Sequence, residues 1–280
     1  MPSKTKILLT IFLILLTYSC TNKPEKVSVI KENNMELQMI EAYNEGLFEL
    51  SRGDAIYAAK KFNEAELLYP QSIWAPRSSL MAAYAYFSQA YYNDAIIELE
   101  KFLDKYKNHP QTDYAYYLMA LSYYDQIVDE TKDMMPINFA KKYFKLVKKN
   151  YPDTEFAMDA SFKLDLIKEI EASKEMYIAR YYLDREKWIP AINRFKVVVN
   201  EYDNTIFVEE ALHRLVEVHY KIGLVEESKK YATLLGYNYS DSVWYEKSYI
   251  IFNKNYKKIL NEDKKESKNS IFKRLKELLK

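Results

Sequence analysis

Small and hydrophobic residues recur along the chain at one fixed spacing. A small residue is followed by an apolar residue four positions later, by another three positions after that, and by a tyrosine four positions further on. Offsets of four, seven and eleven place all four side chains on one face of an α-helix. Each copy therefore predicts an amphipathic helix that ends near its tyrosine. The five copies are Ala58, Phe62, Ala65 and Tyr69; Ala95, Leu99, Phe102 and Tyr106; Ala140, Phe144, Val147 and Tyr151; Ala191, Phe195, Val198 and Tyr202; and Ser228, Ala232, Leu235 and Tyr239.

A turn and a new helix are predicted after each tyrosine. Pro70 and Pro152 directly follow the tyrosine in two copies, and proline favours the end of a helix because it has no backbone donor. A hydroxyl residue follows three positions past the tyrosine in four copies and six positions past it in the other. Its side-chain oxygen can cap the first turn of the next helix. These residues are Ser72, Thr112, Thr154, Thr205 and Ser242.

An aromatic-rich helical stretch precedes each copy, so each unit is predicted to be a pair of helices. The first residues of successive copies are 37, 45, 51 and 37 positions apart, somewhat more than the roughly 34 of the simplest tetratricopeptide repeat. The longer spacings predict a loop around Asp125 to Pro136 and a helical segment from Glu155 to Arg185, either continuous or broken near Ser173. The predicted fold is all-α, a tetratricopeptide-type α-solenoid of about five helix pairs with an extra C-terminal helix.

The composition agrees with this prediction and argues against most enzyme classes. The chain contains only four glycines, too few for many strand turns or for phosphate-binding loops. Its formal net charge of +1 gives no reason to expect nucleic-acid binding. His213 and His219 lie six positions apart, a spacing that does not place two metal ligands on one helical face. We therefore expect no catalytic residue, no metal site and no cofactor.

The N-terminus has the features of an export signal. Lys4 and Lys6 precede an apolar run from Ile7 to Leu16, which is too short to span a bilayer and is typical of a cleaved signal peptide. Cys20 is the only cysteine, so it cannot form a disulfide within the chain. Its surroundings resemble a lipobox, in which the cysteine becomes the acylated first residue of the mature protein. The alternative is an ordinary cleaved signal that leaves a free thiol. Acyl chains on Cys20 would anchor the protein to a membrane without a spanning helix.

The C-terminal part is basic. Residues 254–280 contain ten Lys or Arg against four Asp or Glu. A helical stripe is formed there by Ile271, Phe272, Leu275, Leu278 and Leu279. It predicts either a helix that caps the last repeat or a helix that docks on lipid or on a partner. The predicted organisation is a signal peptide at 1–19, a lipidated flexible tether at 20–34, N-terminal repeats at 35–154, C-terminal repeats at 155–243 and a basic helical extension at 244–280.

One segment carries most of a resemblance to a known family. Residues 175–195, EMYIARYYLDREKWIPAINRF, match its characteristic stretch, and residues 109–121, HPQTDYAYYLMAL, resemble its His-Pro followed by Asp-Tyr. The matching positions are Ala179, Tyr181, Tyr182, Arg185, Trp188, Asn193 and Arg194. With the lipobox and the five irregular repeats, the chain resembles the BamD (ComL) family of tetratricopeptide lipoproteins from about Met35 to Tyr239.

The resemblance implies a lipid-anchored scaffold on the periplasmic face of the outer membrane, within the β-barrel assembly machinery. Its implied partners are a BamA-type barrel subunit, other assembly lipoproteins and unfolded outer-membrane proteins. Tyr181, Arg185 and Arg194 are the expected partner-binding residues, although Arg194 could instead form a local salt bridge with Glu201 or lie on a solvated face. A substrate-peptide groove is expected to be lined by Tyr43, Tyr84 and Tyr86.

Two other binding proteins remain as alternatives. A tetratricopeptide lipoprotein that pilots secretin or pilus assembly would be expected to have tighter repeats near 34 residues. A cell-envelope coordinator with a coiled-coil start would need heptads, and residues 21–34 contain none.

Overall fold

Eleven α-helices form the regular structure of residues 29–129 and 133–253, the part of the chain that the computed structural model describes. They are α1 (Val29–Ser51), α2 (Ala55–Leu68), α3 (Trp74–Ser88), α4 (Tyr92–Lys105), α5 (Thr112–Tyr124), α6 (Met135–Asn150), α7 (Glu155–Asp184), α8 (Trp188–Glu201), α9 (Val208–Lys221), α10 (Val225–Asn238) and α11 (Val243–Phe252). No β-strand occurs in these two ranges. The all-α fold class is confirmed, with the number of helices that five pairs and one further helix require.

The helices belong to two compact units that divide between Gln89 and Ala90. In the first unit, α2 packs against both α1 and α3. In the second unit, each helix from α4 to α11 packs against the next one in sequence, and α9 also contacts α11. The boundary between the predicted N-terminal and C-terminal repeats of the 35–243 solenoid, at residues 154 and 155, lies inside the second unit. The helices on either side of that point, α6 and α7, share one hydrophobic core.

The recurring pattern lies on α2, α4, α6, α8 and α10, the second helix of each pair. Its small and apolar positions are buried in all five helices except at Ala232 of α10, which is partly exposed. The fourth position of every copy is the C-cap residue of its helix. These caps are Tyr69, Tyr106, Tyr151, Tyr202 and Tyr239. The predicted helix ends are confirmed.

The turn after each tyrosine has the same backbone geometry. The N–H group three residues past the tyrosine donates to the tyrosine carbonyl at 3.0–3.2 Å in all five turns. Two hydroxyls then cap the next helix as predicted. Thr154 Oγ1 accepts the Ala157 N–H at 3.2 Å, and Ser242 Oγ accepts the Trp244 N–H at 3.1 Å.

The other three predicted caps are wrong. Thr112 and Thr205 each donate their hydroxyl to the backbone carbonyl three residues earlier, at 2.9 and 2.8 Å. Ser72 Oγ is buried and has no hydrogen-bond partner within the described residues. Because the N-cap residues of α3 and α9 are Ile73 and Phe207, the hydroxyls at 72 and 205 lie too far upstream to reach the first helical N–H groups.

The third pair contains the longest helix. α7 is continuous over 30 residues and has no break at Ser173, so the continuous form of the two predicted alternatives is confirmed. Residues 125–134 connect α5 to α6, close to the predicted loop, and Pro136 lies in the first turn of α6.

Both ends of the described part extend past the predicted boundaries. α1 begins at Val29, inside the predicted tether at 20–34. α11 occupies the start of the predicted extension and packs on α9 and α10 as part of the second unit. The signal peptide, Cys20 and residues 254–280 lie outside the described residues.

In four of the five pairs, the turn between the two helices contains a residue in the left-handed region, five positions before the small residue of the repeat. Gly53 and Gly223 occupy it with φ of +83° and +87°, whereas Ala90 and Glu186 have φ of +62° and +56°. At the end of α7, the N–H groups of Glu186 and of the next residue donate back to carbonyls of α7 at 3.0 and 2.9 Å, the Schellman arrangement. A residue with a Cβ is strained in this conformation, and glycine is not.

Replacing Glu186 with glycine should therefore stabilise the protein. The relief of strain outweighs the added entropy of the unfolded chain, and we expect a gain of about 0.5–1 kcal/mol in the free energy of unfolding. Chemical denaturation of the purified protein measures it. Gly223→Ala is the matched control and should lose a similar amount, because nothing lies within 4 Å of a Cβ at Gly223 and only backbone strain is added. A neutral or destabilising Glu186→Gly would contradict this explanation.

Candidate partner-binding site

The end of α7 presents an arginine stacked on a tyrosine. Arg185 is the C-cap residue of α7, and its guanidinium carbon lies 3.6 Å from the centre of the Tyr181 ring, one helical turn earlier. One guanidinium nitrogen also donates to the Tyr181 backbone carbonyl at 3.4 Å. Tyr181 is 46% exposed and packs edge-to-face on Tyr182. The stacking orients an exposed cation and an exposed ring on one surface.

Within the described residues, Arg185 has no carboxylate partner. A guanidinium group can offer two parallel N–H donors to one carboxylate. The remaining donors of Arg185 are therefore available to a carboxylate on another protein.

A second stacked cation lies beside this surface. Lys221, the last residue of α9, places its Nζ 4.3 Å from the centre of the ring of Trp188, the first residue of α8. A cavity of about 290 Å³ opens between the ends of α7 and α9 and the start of α8. It is lined by Leu183, Asp184, Glu186, Trp188, Arg214, Glu217, Val218 and Lys221. The end of α7 thus brings the aromatic rings of Tyr181 and Trp188 close to Arg185, and aromatic residues and arginine are enriched at protein interfaces.

Arg194 forms an ion pair within the chain. One of its guanidinium nitrogens lies 2.9 and 3.1 Å from the two carboxylate oxygens of Glu175 on α7. The pair links α8 to α7, and the partner is not Glu201, the local alternative. Arg194 thus forms a local ion pair, while its side chain stays 43% exposed, and its role in partner binding stays a prediction.

Ion pairs hold α7 against its neighbours on other sides as well. Arg180 makes two hydrogen bonds to Glu210 of α9, at 2.6 and 3.0 Å, and Arg214 adds a third contact at 3.4 Å. Burial acts to raise the pKa of Glu210, but these two guanidinium groups outweigh it and hold the pKa below its usual value. Lys141 of α6 binds both oxygens of Glu171 at 2.7 Å. These contacts fix the helix that ends in Tyr181 and Arg185.

The predicted substrate groove does not form from its three tyrosines. Tyr43 is only 5% exposed and packs edge-to-face on Phe62 and on Trp74, both at 5.3 Å, so it is a core residue. Tyr86 is partly buried against the same core. Tyr84 alone is exposed, at 38%. Residues two apart on a helix point in different directions, which explains why Tyr84 and Tyr86 do not line one surface.

An exposed apolar face lies on α1 and was not predicted from the sequence. Leu37, Ile40, Leu47 and Phe48 are all exposed, and their helical angles fall within about 100° of one another. The spacing was visible in the sequence. The pattern alone cannot distinguish a face that packs on a neighbouring helix from one that stays exposed. In the structure, α2 packs on the other side of α1, at Met39 and the buried residues around it.

A larger apolar cavity lies elsewhere in the second unit. It has a volume of about 580 Å³ and opens between the α5–α6 connection, the middle of α7 and the α8–α9 turn. Tyr124, Ile127, Ile170 and Phe207 contribute apolar walls, and Glu169 contributes a carboxylate that accepts the Ile206 N–H at 3.3 Å. None of the predicted site residues lines it.

Two kinds of structural feature are absent from the described residues. No helix in the described ranges is both long enough and apolar enough to cross a bilayer. The same ranges contain no group of three or more His, Cys, Asp or Glu side chains placed to hold a metal ion.

Comparison with known proteins places the chain in a family. The sequence model of the family YfiO, described as outer membrane lipoprotein, matches residues 35–234. A protein of Caulobacter vibrioides named outer membrane protein assembly factor BamD is 38% identical over 237 residues, which cover 84% of this chain and 76% of that protein. The protein of the same name from Rickettsia prowazekii is 37% identical over 253 residues, covering 90% and 98%.

The similarity to solved structures is weaker. A structure described as PilF of Pseudomonas aeruginosa covers 76% of this chain and 97% of its own, with 14% identity and a TM-score of 0.34. A similarity of that size carries no argument about function. The sequence matches do carry such an argument, because they extend over both units and include the segment from Tyr181 to Arg194. The chain belongs to the outer membrane lipoprotein family YfiO, and the relatives it resembles are named outer membrane protein assembly factor BamD.

Proposed function

We propose that the protein is a lipid-anchored periplasmic scaffold of the outer-membrane β-barrel assembly machinery, which binds a BamA-type barrel subunit and receives unfolded outer-membrane proteins. Family membership supports the role in outer-membrane protein assembly. The lipobox around Cys20 supports an acylated first residue on the periplasmic face of the outer membrane. The role is one of binding, and no catalytic step is assigned to it.

The position of Arg185 is the observation that supports binding to the barrel subunit. It is an exposed cation without a carboxylate partner in the described chain, held in place by the Tyr181 ring. A carboxylate of the barrel subunit can accept two of its N–H donors while an apolar side chain covers the open face of Tyr181. Because the ring already orders the guanidinium, binding costs less side-chain entropy than it would for a free arginine.

Charge reversal at Arg185 tests this contact. Arg185→Glu should reduce recovery of the barrel subunit from detergent-solubilised envelopes roughly ten- to hundredfold, through loss of the pair and repulsion of the carboxylate. Circular dichroism should be unchanged, because Arg185 bridges no helices. Arg52→Glu is the control, since Arg52 is also an exposed arginine near an aromatic ring, 5.6 Å from Phe48, but it already pairs with Glu49 at 3.5 Å. Recovery that is normal for Arg185→Glu, or equally reduced for both variants, would remove Arg185 from the interface.

The α1 face is the proposed contact for unfolded polypeptide. Unfolded outer-membrane proteins present alternating apolar side chains, and an exposed apolar stripe can bury them without a deep pocket. The four stripe residues Leu37, Ile40, Leu47 and Phe48 are the largest apolar group on one face of a described helix in the first unit. Of the three groove tyrosines, Tyr84 is the exposed one and stays a candidate contact.

Removing two stripe residues should weaken that binding without unfolding the helix. Leu47→Ser combined with Phe48→Ser is expected to reduce the affinity for a urea-unfolded outer-membrane protein about tenfold or more, because apolar area is lost from the contact. Fluorescence anisotropy with a labelled substrate measures it. Leu67→Ser removes an equally apolar, exposed residue from α2 and should leave the affinity unchanged. Equal effects of the two changes would show that the loss is not specific to α1.

The alternative of a lipoprotein that pilots secretin or pilus assembly has no structural observation in its favour. The same envelope pull-down separates the two proposals, because it would recover a secretin or a pilus subunit in place of the barrel subunit.

A further inference from the structure

α6 is the most basic helix in the described part of the chain. Between Met135 and Asn150 it contains five lysines and no Asp or Glu, whereas the whole chain carries a formal net charge of only +1. One of the five, Lys141, is the ion-pair partner of Glu171 on α7. The other four are exposed, and we call them the lysine face. They are Lys142, Lys145, Lys148 and Lys149.

The lysine face occupies one side of α6. At 3.6 residues per turn, its four side chains fall within an arc of about 120°. Asn138, which is also exposed, lies within the same arc. The opposite side of the helix is fully buried, at Ile137, Ala140, Phe144 and Val147. Packing against the neighbouring helices therefore fixes the direction in which the lysines point.

The lysine face has no carboxylate partner within residues 29–129 and 133–253. Lys142 contacts a ring, with its Nζ 5.0 Å from the centre of Tyr143. The helix dipole favours Lys148 and Lys149 in the last turn, but it does not account for Lys142 and Lys145. Several other exposed lysines each pair with a carboxylate three residues away. They are Lys101, Lys107, Lys168, Lys229 and Lys230.

A face of this composition fits a diffuse negative surface better than a specific protein interface. Aromatic residues and arginine are enriched at protein interfaces, and lysine is depleted there. On α6, the large apolar side chain that is strongly exposed is Met135, at 58%. Lysine is a point charge on a flexible stem, so four of them can each reach a different phosphate group. Clusters of lysine near a bilayer are attracted to anionic lipid headgroups in this way.

We propose that the lysine face of α6 binds the anionic phospholipid surface of a bilayer. The inference rests on the lipid-anchored position proposed above, because an acyl chain on Cys20 would keep the protein close to such a surface. A lipid anchor alone holds the chain at one point, and a second, electrostatic contact orients the second unit with α6 towards the lipid. Because the attraction is between exposed charges and headgroups, salt weakens it.

Lysine acetylation read by mass spectrometry tests the proposal on the mature acylated protein. Phosphatidylglycerol vesicles should slow the labelling of the lysine face about fivefold or more relative to phosphatidylcholine vesicles, and high salt should remove the difference. Lys229 and Lys230 are internal controls, because they are exposed but already paired, and their labelling should be equal in both vesicles.

Two results of the labelling experiment would overturn the proposal. One is equal labelling of the lysine face in both kinds of vesicle. The other is protection that requires the barrel subunit and not phosphatidylglycerol, which would assign the face to an acidic protein surface. The mass of the peptide that contains Cys20 reports the proposed acyl anchor separately, and the lysine comparison has the same outcomes whether or not that cysteine is acylated.

A charge-matched pair of variants tests the contact from the protein side. An environment-sensitive dye on Asn138→Cys, within the lysine face, should be quenched by spin-labelled phosphatidylglycerol. Replacing the four lysines of the face with glutamine should reduce that quenching about fivefold or more, because most of the local attraction is lost. The control replaces four paired lysines with glutamine and should leave the quenching unchanged. These are Lys101, Lys107, Lys229 and Lys230.

Both variants should keep their helical content and their recovery of the barrel subunit, because the exchanged side chains are all exposed and lie outside the end of α7. Equal loss of quenching in the two variants would show that only net charge matters and would overturn the assignment to α6. Unchanged quenching in the lysine-face variant would overturn it as well.

Discussion

Burial of one stripe of side chains on each second helix is the constraint on which the rest of the structure depends. A small residue at the first position lets the neighbouring helix approach closely, and a Phe or Leu four residues later fills the space that remains in the first four copies. Phe62, Leu99, Phe144 and Phe195 are all fully buried. Because a closely packed interior cannot fully compensate for lost side-chain volume, each stripe fixes where its neighbouring helices lie within its own unit.

The turns that connect successive helices also have a fixed geometry. Each second helix ends on a tyrosine whose carbonyl accepts an N–H three residues later, and several first helices end through a left-handed residue. The repeat is therefore encoded in backbone geometry as well as in burial. Variation is confined to the length of α7 and to the α5–α6 connection, and these are the parts that border the larger cavity.

The candidate partner-binding site lies at the end of a helix, α7, that ion pairs hold against its neighbours. Charged contacts from α6, α8 and α9 meet along this one helix, through Glu171, Glu175 and Arg180. Such pairs add little stability where they are exposed, but they restrict how α7 rotates against its neighbours. Arg185 at its end is thereby presented from a rigid support, which lowers the entropy lost on binding.

Local periodicity could be predicted, and contacts across helices could not. The stripes, the terminal tyrosines and the unusual length of α7 follow from spacing within single helices. Glu175 and Arg194 are 19 residues apart on different helices, and Arg180 and Glu210 are 30 apart, so nothing in the sequence identifies them as partners. Tyr43 was misplaced for the same reason. Its burial depends on Phe62 and Trp74, which come from two other helices.

Photo-crosslinking in living cells tests most directly the claim that the end of α7 is the partner surface. A photoreactive amino acid at Tyr181 should yield an adduct with the large β-barrel subunit, whereas the same group at Tyr237, a largely exposed position on α10, should not. Adducts with the barrel subunit from Tyr237 and none from Tyr181 would contradict the account.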